Sequence, residues 1–137
     1  MSKHPFEHFN LDENLIEAVK NLNFEKPTEI QNRIIPRILK GTNLIGQSQT
    51  GTGKSHAFLL PLIQLIESDI QEPQAIVVAP TRELAVQSQE ELFRFGRSKG
   101  VKVRSVYGGS SIEKQIKALK TGAHIVEGTT WRLLDLV

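Results

Sequence analysis

The sequence predicts an α/β fold, with helices on both sides of a mostly parallel sheet of about four strands. Segments with helical spacing alternate with short apolar or alternating runs along the chain, as in three-layer α/β/α proteins. The run at 75–79 is continuously apolar, which is typical of a parallel strand buried on both faces. A glycine-rich segment at 46–55 lies between an apolar stretch and a helical segment. The ligand of such a fold is expected at the carboxyl ends of the strands.

The first half of the chain is predicted to hold three helices and one strand. Apolar residues from Leu11 to Leu22 recur at helical spacing, and a second helix is expected over 29–39, bent or interrupted by Pro36. The short stretch at 43–46 is the expected first strand. The glycine-rich loop and a helix ending near residue 68 follow it.

The second half is predicted to hold three strands and three helices. After the strand at 75–79 we expect a helix over 82–98 and an alternating strand over 101–107. Ser110 or Ser111 is expected to cap the next helix, which ends near residue 120. A strand at 123–126 and a helical segment from about residue 130 complete the pattern.

Length and composition fit one globular domain with a modest core. The chain has 137 residues, of which 39% are hydrophobic and 23% charged, and we divide it into a helical region at 1–40 and an α/β core at 41–137. No apolar run is long enough to cross a bilayer, and no signal-peptide pattern follows the first residue. The lack of cysteine excludes disulfides and thiolate chemistry and is compatible with a cytoplasmic location.

Charge is unevenly distributed although the net charge is only +2. Residues 1–76 carry 7 Lys and Arg against 9 Asp and Glu, whereas residues 77–137 carry 10 against 6. A basic second half is suited to a polyanion such as nucleic acid. On charge alone, a solvated basic face is the more common explanation.

The glycine-rich segment has the composition of a phosphate-binding loop. Gly51 and Gly53 let the backbone N–H groups curl around an anion, and the following helix adds its positive end. Lys54 would reach the terminal phosphates, and the Ser55 hydroxyl would ligate Mg²⁺. The strict pattern G-x-x-x-x-G-K-S/T requires glycine where this chain has Ser48, and the alternative is a chance surface loop. The candidate residues are Ser48, Gln49, Thr50, Gly51, Thr52, Gly53, Lys54 and Ser55.

Upstream of this loop, Phe24 and Gln31 are candidates for recognising a base. A glutamine amide can pair with the amine and N7 of adenine, and an aromatic ring can stack on the base. The alternative, which is the more common for such residues taken alone, makes Phe24 a core residue and Gln31 an ordinary surface amide.

Downstream, residues after two predicted strands are candidates for contacting a nucleic-acid backbone. Thr81 is expected to cap its helix with Glu83 in the first turn, and Thr81 and Arg82 could also contact phosphates. Gly108 and Gly109 would let a backbone approach closely, or form a plain turn.

Taken in order, these motifs resemble the DEAD-box family of ATP-dependent RNA helicases over nearly the whole chain. The resemblance rests on F-x-x-P-T-x-I-Q, the glycine-rich loop, P-T-R-E-L-A-x-Q, G-G and a final T-x-x-R-L-L-D-L, with Phe6 as the isolated upstream aromatic. The first half is similar to the bacterial cold-shock type. The resemblance implies a RecA-like P-loop NTPase fold that binds ATP or ADP with Mg²⁺, and RNA. It assigns the nucleotide to Phe24, Lys26, Thr28, Gln31 and residues 48–55, and RNA to Pro80, Thr81, Arg82, Gly108, Gly109, Thr129 and Arg132.

Four positions depart from the family pattern. Asn23 and Ser48 are mild changes. Trp131 stands where the family has glycine in T-P-G-R, and we expect its indole to obstruct RNA or to pack into a core or subunit contact. Glu127 is expected at the end of a strand, where the family prefers a small or apolar residue.

The sequence contains neither Asp-Glu-Ala-Asp nor a later Ser-Ala-Thr motif. Because the family takes its water-activating carboxylate from the first of these, we expect nucleotide binding without substantial hydrolysis or unwinding. Exposed apolar strand edges predict a homo-oligomer. Two alternatives stay open: a non-catalytic module, natural or engineered, that binds nucleotide or RNA, and another P-loop phosphotransferase.

Overall fold

The structure is a computed structural model that describes residues 4–22, 25–47, 54–108 and 111–135. The side chains of residues 54–56 are not among those described. The chain forms two compact units, Met1–Leu65 and Ile66–Val137. The helices are α1 (Glu13–Asn21), α2 (Glu29–Leu39), α3 (Lys54–Leu65), α4 (Arg82–Gly96), α5 (Ile112–Lys120) and α6 (Thr130–Asp135), and the strands are β1 (Ala75–Ala79), β2 (Val103–Val106) and β3 (Ile125–Thr129). Within the described ranges, no helix combines the length and apolarity needed to cross a bilayer.

The first unit is helical where it is described, and α2 packs against α3. The apolar stripe predicted along α1 is confirmed, since Leu15 and Val19 are fully buried. Pro36 does not interrupt α2, which continues to Leu39 with Ile35 buried and Arg37 in its last turn. The helix predicted to end near residue 68 ends at Leu65.

The predicted strand at 43–46 is wrong, because residues 42–47 form no regular secondary structure. Ile45 is 97% exposed, and no strand in the described residues pairs with this segment. Gly46 instead lies against α2 and α3: an added Cβ would be 2.3 Å from Ile34 Cδ1 and 3.0 Å from Phe58 Cζ. Side-chain contacts with two helices, rather than a ladder of hydrogen bonds, therefore hold the start of the glycine-rich segment.

The second unit is built on a parallel sheet with the strand order β1-β3-β2. The described sheet thus has three strands where the sequence predicted about four. Helix α4 contacts all three strands and α5 contacts β2. The predicted caps are confirmed: Thr81 Oγ1 accepts from Leu84 N–H at 3.2 Å, and Ser111 Oγ accepts from Lys114 N–H at 3.4 Å.

Strand β1 has the predicted bounds, but the prediction that it is buried on both faces is wrong. Its inward-facing Ala79 is buried, whereas Ile76 and Val78 are 67% and 58% exposed. The reason is that the described residues leave the face of β1 that carries Ile76 and Val78 uncovered, and β1 lies at the edge of the described sheet. The continuous apolar run therefore predicted the position of the strand correctly, but it did not predict that one face of the strand is exposed.

Strand β3 is the central strand, and its bounds correct the prediction of a strand at 123–126. Glu127 lies at the middle of β3 rather than at its end, in register with Val77 of β1 and Ser105 of β2. The strand extends beyond residue 126 because β1 supplies partners as far as Thr129 and β2 as far as Gly128. Gly128, which follows Glu127, packs so closely against β2 that an added Cβ would lie 2.0 Å from the Val106 carbonyl oxygen.

A fully buried histidine joins the entry to β3 to the preceding loops. His124 Nδ1 accepts from Lys102 N–H at 2.8 Å, and its Nε2–H donates to the Ser68 carbonyl oxygen at 3.0 Å. A backbone N–H can only donate and a carbonyl can only accept, so these two bonds require the neutral imidazole with its proton on Nε2. His124 is thereby a structural residue of this unit.

Candidate nucleotide and RNA sites

Gln31 is a buried residue in the first turn of α2, and its amide belongs to a reciprocal cap. Thr28 Oγ1 accepts from Gln31 N–H at 3.3 Å, while Gln31 Oε1 accepts from Thr28 N–H at 2.9 Å. Gln31 is only 4% exposed, so the alternative of an ordinary surface amide is wrong. A carbonyl oxygen has two lone pairs, so Oε1 can accept a further bond from an amine while it caps the helix.

The structure brings Thr28 and Gln31 together but leaves part of the predicted base site undescribed. Lys26 is exposed two residues before Thr28. Phe24 lies outside the described residues, so its predicted stacking role stays a prediction. The reciprocal cap fixes where the Gln31 amide sits, which is what a base-reading amide requires.

The glycine-rich loop itself, Ser48 through Gly53, also lies outside the described residues. What is described is the helix that follows: α3 begins at Lys54, in the same unit as Gln31. The first N–H groups of a helix have no partner within it and carry its positive end. The main chain at Lys54 and Ser55 therefore belongs to the part of α3 that favours an anion, and their predicted side-chain roles stay predictions.

The candidate RNA residues of the second unit lie at one edge of its sheet. Pro80 and Thr81 follow β1, Gly108 follows β2, and Thr129 ends β3. Because the three strands are parallel and adjacent, their carboxyl ends meet at the same edge. Gly109 lies outside the described residues.

Arg82 and Arg132 are both held at this edge by neighbours. The Arg82 guanidinium carbon lies 5.0 Å from the centre of the Tyr107 ring, within the range of a cation–π contact. Arg132 Nη1 donates to Gln115 Oε1 at 2.8 Å, and Arg132 Nε is 3.9 Å from Asp135 Oδ2. Gln115 is itself buried and donates through Nε2 to the Tyr107 carbonyl oxygen at 3.0 Å.

Sequence reasoning missed Tyr107 and Gln115. A signal for Gln115 existed, because it stands three residues after Ile112 and four before Leu119, on the apolar stripe of α5. A polar residue in such a stripe is buried with partners, and here the partners are 8 and 17 residues away in the chain.

Trp131 does not pack into a core. It is 81% exposed on α6, between Thr129 and Arg132. The expectation that the indole packs into the interior is therefore wrong, while obstruction of RNA and a subunit contact stay untested.

Glu127 is a carboxyl group at the middle of the central strand β3. It is fully buried, the Ser105 hydroxyl donates to Oε1 at 2.6 Å, and Oε2 has no hydrogen-bond partner. Burial raises the pKa of Glu127 from 4.5 to about 7, against the lowering effect of Ser105. The group therefore carries a proton for part of the time near neutral pH.

Comparison with known proteins gives consistent matches along this chain. The sequence model of the family described as DEAD/DEAH box helicase matches residues 28–137. The DEAD-box ATP-dependent RNA helicase CshB of Staphylococcus aureus is 64% identical over 99% of this chain and 31% of its own length. The DEAD-box ATP-dependent RNA helicase CshA of Streptococcus pneumoniae is 62% identical over 96% of this chain and 25% of its own length.

Solved structures agree on the fold. A DEAD box protein from the hyperthermophile Methanococcus jannaschii superposes with a TM-score of 0.90 and 42% identity, covering 98% of this chain and 37% of that one. A hypothetical ATP-dependent RNA helicase from Sulfolobus tokodaii superposes with a TM-score of 0.83 and 36% identity, covering 92% of this chain. The predicted α/β, RecA-like fold is confirmed, and the chain spans about a third or less of the curated relatives named above.

Proposed function

Because the chain belongs to the DEAD/DEAH box helicase family, we propose that it binds ATP as the N-terminal, nucleotide-binding part of a DEAD-box ATP-dependent RNA helicase. One observation carries the proposal: α3 begins at Lys54, directly after the glycine-rich sequence. Gln31 supports it, because its amide is buried and fixed by Thr28 in the same unit.

Different residues of the first unit would contact different parts of the nucleotide. Gln31 would read adenine through its amide, which presents a donor and an acceptor side by side, and Phe24 would stack on the base. The loop at 48–53 and Lys54 would hold the phosphates. Ser55 would ligate Mg²⁺, which would neutralise phosphate charge.

The second unit would contact RNA through its phosphates. Pro80, Thr81 and Arg82 after β1, Gly108 after β2 and Thr129 at the end of β3 occupy one sheet edge. Arg82 and Arg132 supply positive charge there, and phosphate contacts of this kind carry affinity without sequence preference. A cytoplasmic location is part of the same proposal and is consistent with RNA as the partner.

We expect Gln31→Ala and Lys54→Ala each to weaken the binding of Mg-ATP. Gln31→Ala removes the adenine contact, so ATP binding should fall about tenfold and approach that of GTP. Lys54→Ala removes the positive charge that would contact the phosphates, so the affinity for ATP should fall by about a hundredfold. Isothermal titration calorimetry measures both.

Gln71→Ala is the matched control for Gln31→Ala, because it removes an exposed amide of the other unit. Its ATP affinity should equal that of the wild-type chain. Full ATP affinity in the Lys54→Ala variant would contradict the proposal that the loop holds the triphosphate.

The open edge of β1 supports a second part of the proposal, self-association. The strand carries no charge, and Ile76 and Val78 are exposed on one face. An antiparallel pair centred on Val77 would place Ile76 of one copy opposite Val78 of the other, on the same face in both. Such a pairing would give β1, at the edge of the described sheet, a hydrogen-bonded partner and would bring the exposed apolar side chains of the two copies into contact.

We therefore expect the wild-type chain, whose mass is 15.3 kDa, to sediment as a dimer of twice that mass. The Val78→Lys variant should sediment as a monomer. Phe93→Lys is the control, since Phe93 is equally exposed, at 60%, but lies on α4. Analytical ultracentrifugation over a concentration series measures this. A wild-type chain that stays monomeric at all concentrations contradicts it.

A further inference from the structure

We propose that Gln115 is a positioning residue for RNA binding, which fixes Arg132 and the turn after β2 in one arrangement. This inference rests on the RNA contacts proposed above and adds a residue that none of the recognised motifs contains. Gln115 is 8% exposed, so it acts through the groups that it holds rather than by touching RNA itself.

The first contact of Gln115 fixes the turn that carries Gly108. Its Nε2–H donates to the Tyr107 carbonyl oxygen at 3.0 Å, and Gly108 is the next residue. Tyr107 follows β2 directly, so its carbonyl group lies beyond the paired residues of the sheet. The bond therefore ties the end of β2 to α5, and it sets the path of the main chain into Gly108.

The second contact fixes a cation. Gln115 Oε1 accepts from Arg132 Nη1 at 2.8 Å, which restricts where the guanidinium group can lie. The two partners also determine the amide's orientation, because the Tyr107 carbonyl can only accept and Arg132 can only donate. A flipped amide would lose both bonds.

A third contact extends the connection to the loop after β1. The Arg82 guanidinium lies over the ring of Tyr107, whose carbonyl Gln115 holds. Arg82, Tyr107, Gln115 and Arg132 thus form a continuous chain of contacts across the carboxyl ends of all three strands. Two cations that are kept in a fixed relation suit a polymer whose phosphates repeat at a fixed spacing.

The test is RNA affinity in Gln115→Met, which keeps the length of the side chain and removes both hydrogen bonds. We expect binding of a single-stranded uridine decamer to weaken about tenfold, the loss of one well-placed phosphate contact. Mg-ATP affinity should not change. RNA binding can be followed by the fluorescence of Trp131, which is the only tryptophan of the chain and the neighbour of Arg132.

Two further variants keep the test sharp. Gln115→Asn retains an amide but is one methylene shorter, so it cannot span both partners, and it should lose affinity like Gln115→Met even if the latter folds poorly. Gln71→Met is the matched control, since it removes an amide that accepts from Lys102 Nζ at 3.2 Å in the same unit. Its RNA affinity should equal that of the wild type.

A double-mutant cycle separates positioning from a general loss of structure. Because Gln115 acts in part through Arg132, the double variant Gln115→Met with Arg132→Ala should lose less RNA affinity than the sum of the losses in the two single variants. Gln115→Met should also reduce the dependence of log K on log salt by about one phosphate contact. A purely structural role predicts additive losses and an unchanged salt dependence.

The outcomes distinguish this inference from the function on which it rests. A wild-type chain that does not bind the decamer overturns the proposed RNA contacts, and this inference with them. A wild-type chain that binds it while Gln115→Met and Gln115→Asn bind equally well, or while the cycle is additive, overturns the positioning role alone.

Discussion

Gly128→Ala is expected to lower the free energy of unfolding by more than about 3 kcal/mol, because no space exists for a methyl group at this position. The added Cβ would lie 2.0 Å from the Val106 carbonyl oxygen and 2.6 Å from Val106 Cγ2. The nearest atom is main chain of the neighbouring strand, so a rotamer change cannot relieve the clash. Strands β2 and β3 would have to separate locally.

Urea unfolding followed by far-ultraviolet circular dichroism measures this loss as a lower midpoint. Gly108→Ala is the matched control, since an added Cβ there meets nothing within 4 Å and its stability should change by less than about 1 kcal/mol. Equal midpoints for Gly128→Ala and the wild type would show that β2 and β3 do not pair in the described register.

Glu127 is expected to make the protein less stable as the pH rises. Burial raises the pKa of Glu127 from 4.5 to about 7 in the folded chain, so between these values the folded state binds more protons than the unfolded state. The contribution of Glu127 to the free energy of unfolding therefore falls from about pH 4.5 to about pH 7 and stays low above it. The full difference is about 3 kcal/mol.

Urea unfolding at pH values from 5 to 8 measures this dependence, with Glu127→Gln as the reference. Glutamine keeps the shape of the side chain and an acceptor for Ser105, whose hydroxyl donates to Oε1 at 2.6 Å, but it does not titrate. Glu127→Gln should be more stable than the wild type at pH 8, and the difference should shrink toward pH 5. A constant difference across this range would contradict a raised pKa at Glu127.

Local chemistry predicted much of this fold. The helical spacing at 29–39 predicted α2, which begins at Glu29 as expected. Thr81 was predicted to cap α4, and its side chain accepts from Leu84 N–H. The bounds of β1 follow from an apolar run that ends at Pro80, which cannot continue a ladder.

What the sequence could not predict depends on contacts between distant residues. The stretch at 43–46 has the composition of a strand, but Gly46 packs on Ile34 and Phe58 and no described strand lies beside it. Glu127 is a carboxylate within a strand, and only its neighbour Ser105 on β2 and its complete burial explain its pKa. The role of Gln115 depends on Tyr107 and Arg132, which local patterns cannot connect to it.

The most direct test of the proposed function is an equilibrium titration of the purified 137-residue chain with Mg-ATP and, separately, with Mg-GTP. We expect saturable ATP binding and at least tenfold weaker GTP binding, because the phosphate loop would accept both nucleotides and the Gln31 amide would discriminate between the bases. Absence of ATP binding, or equal binding of ATP and GTP, would contradict it.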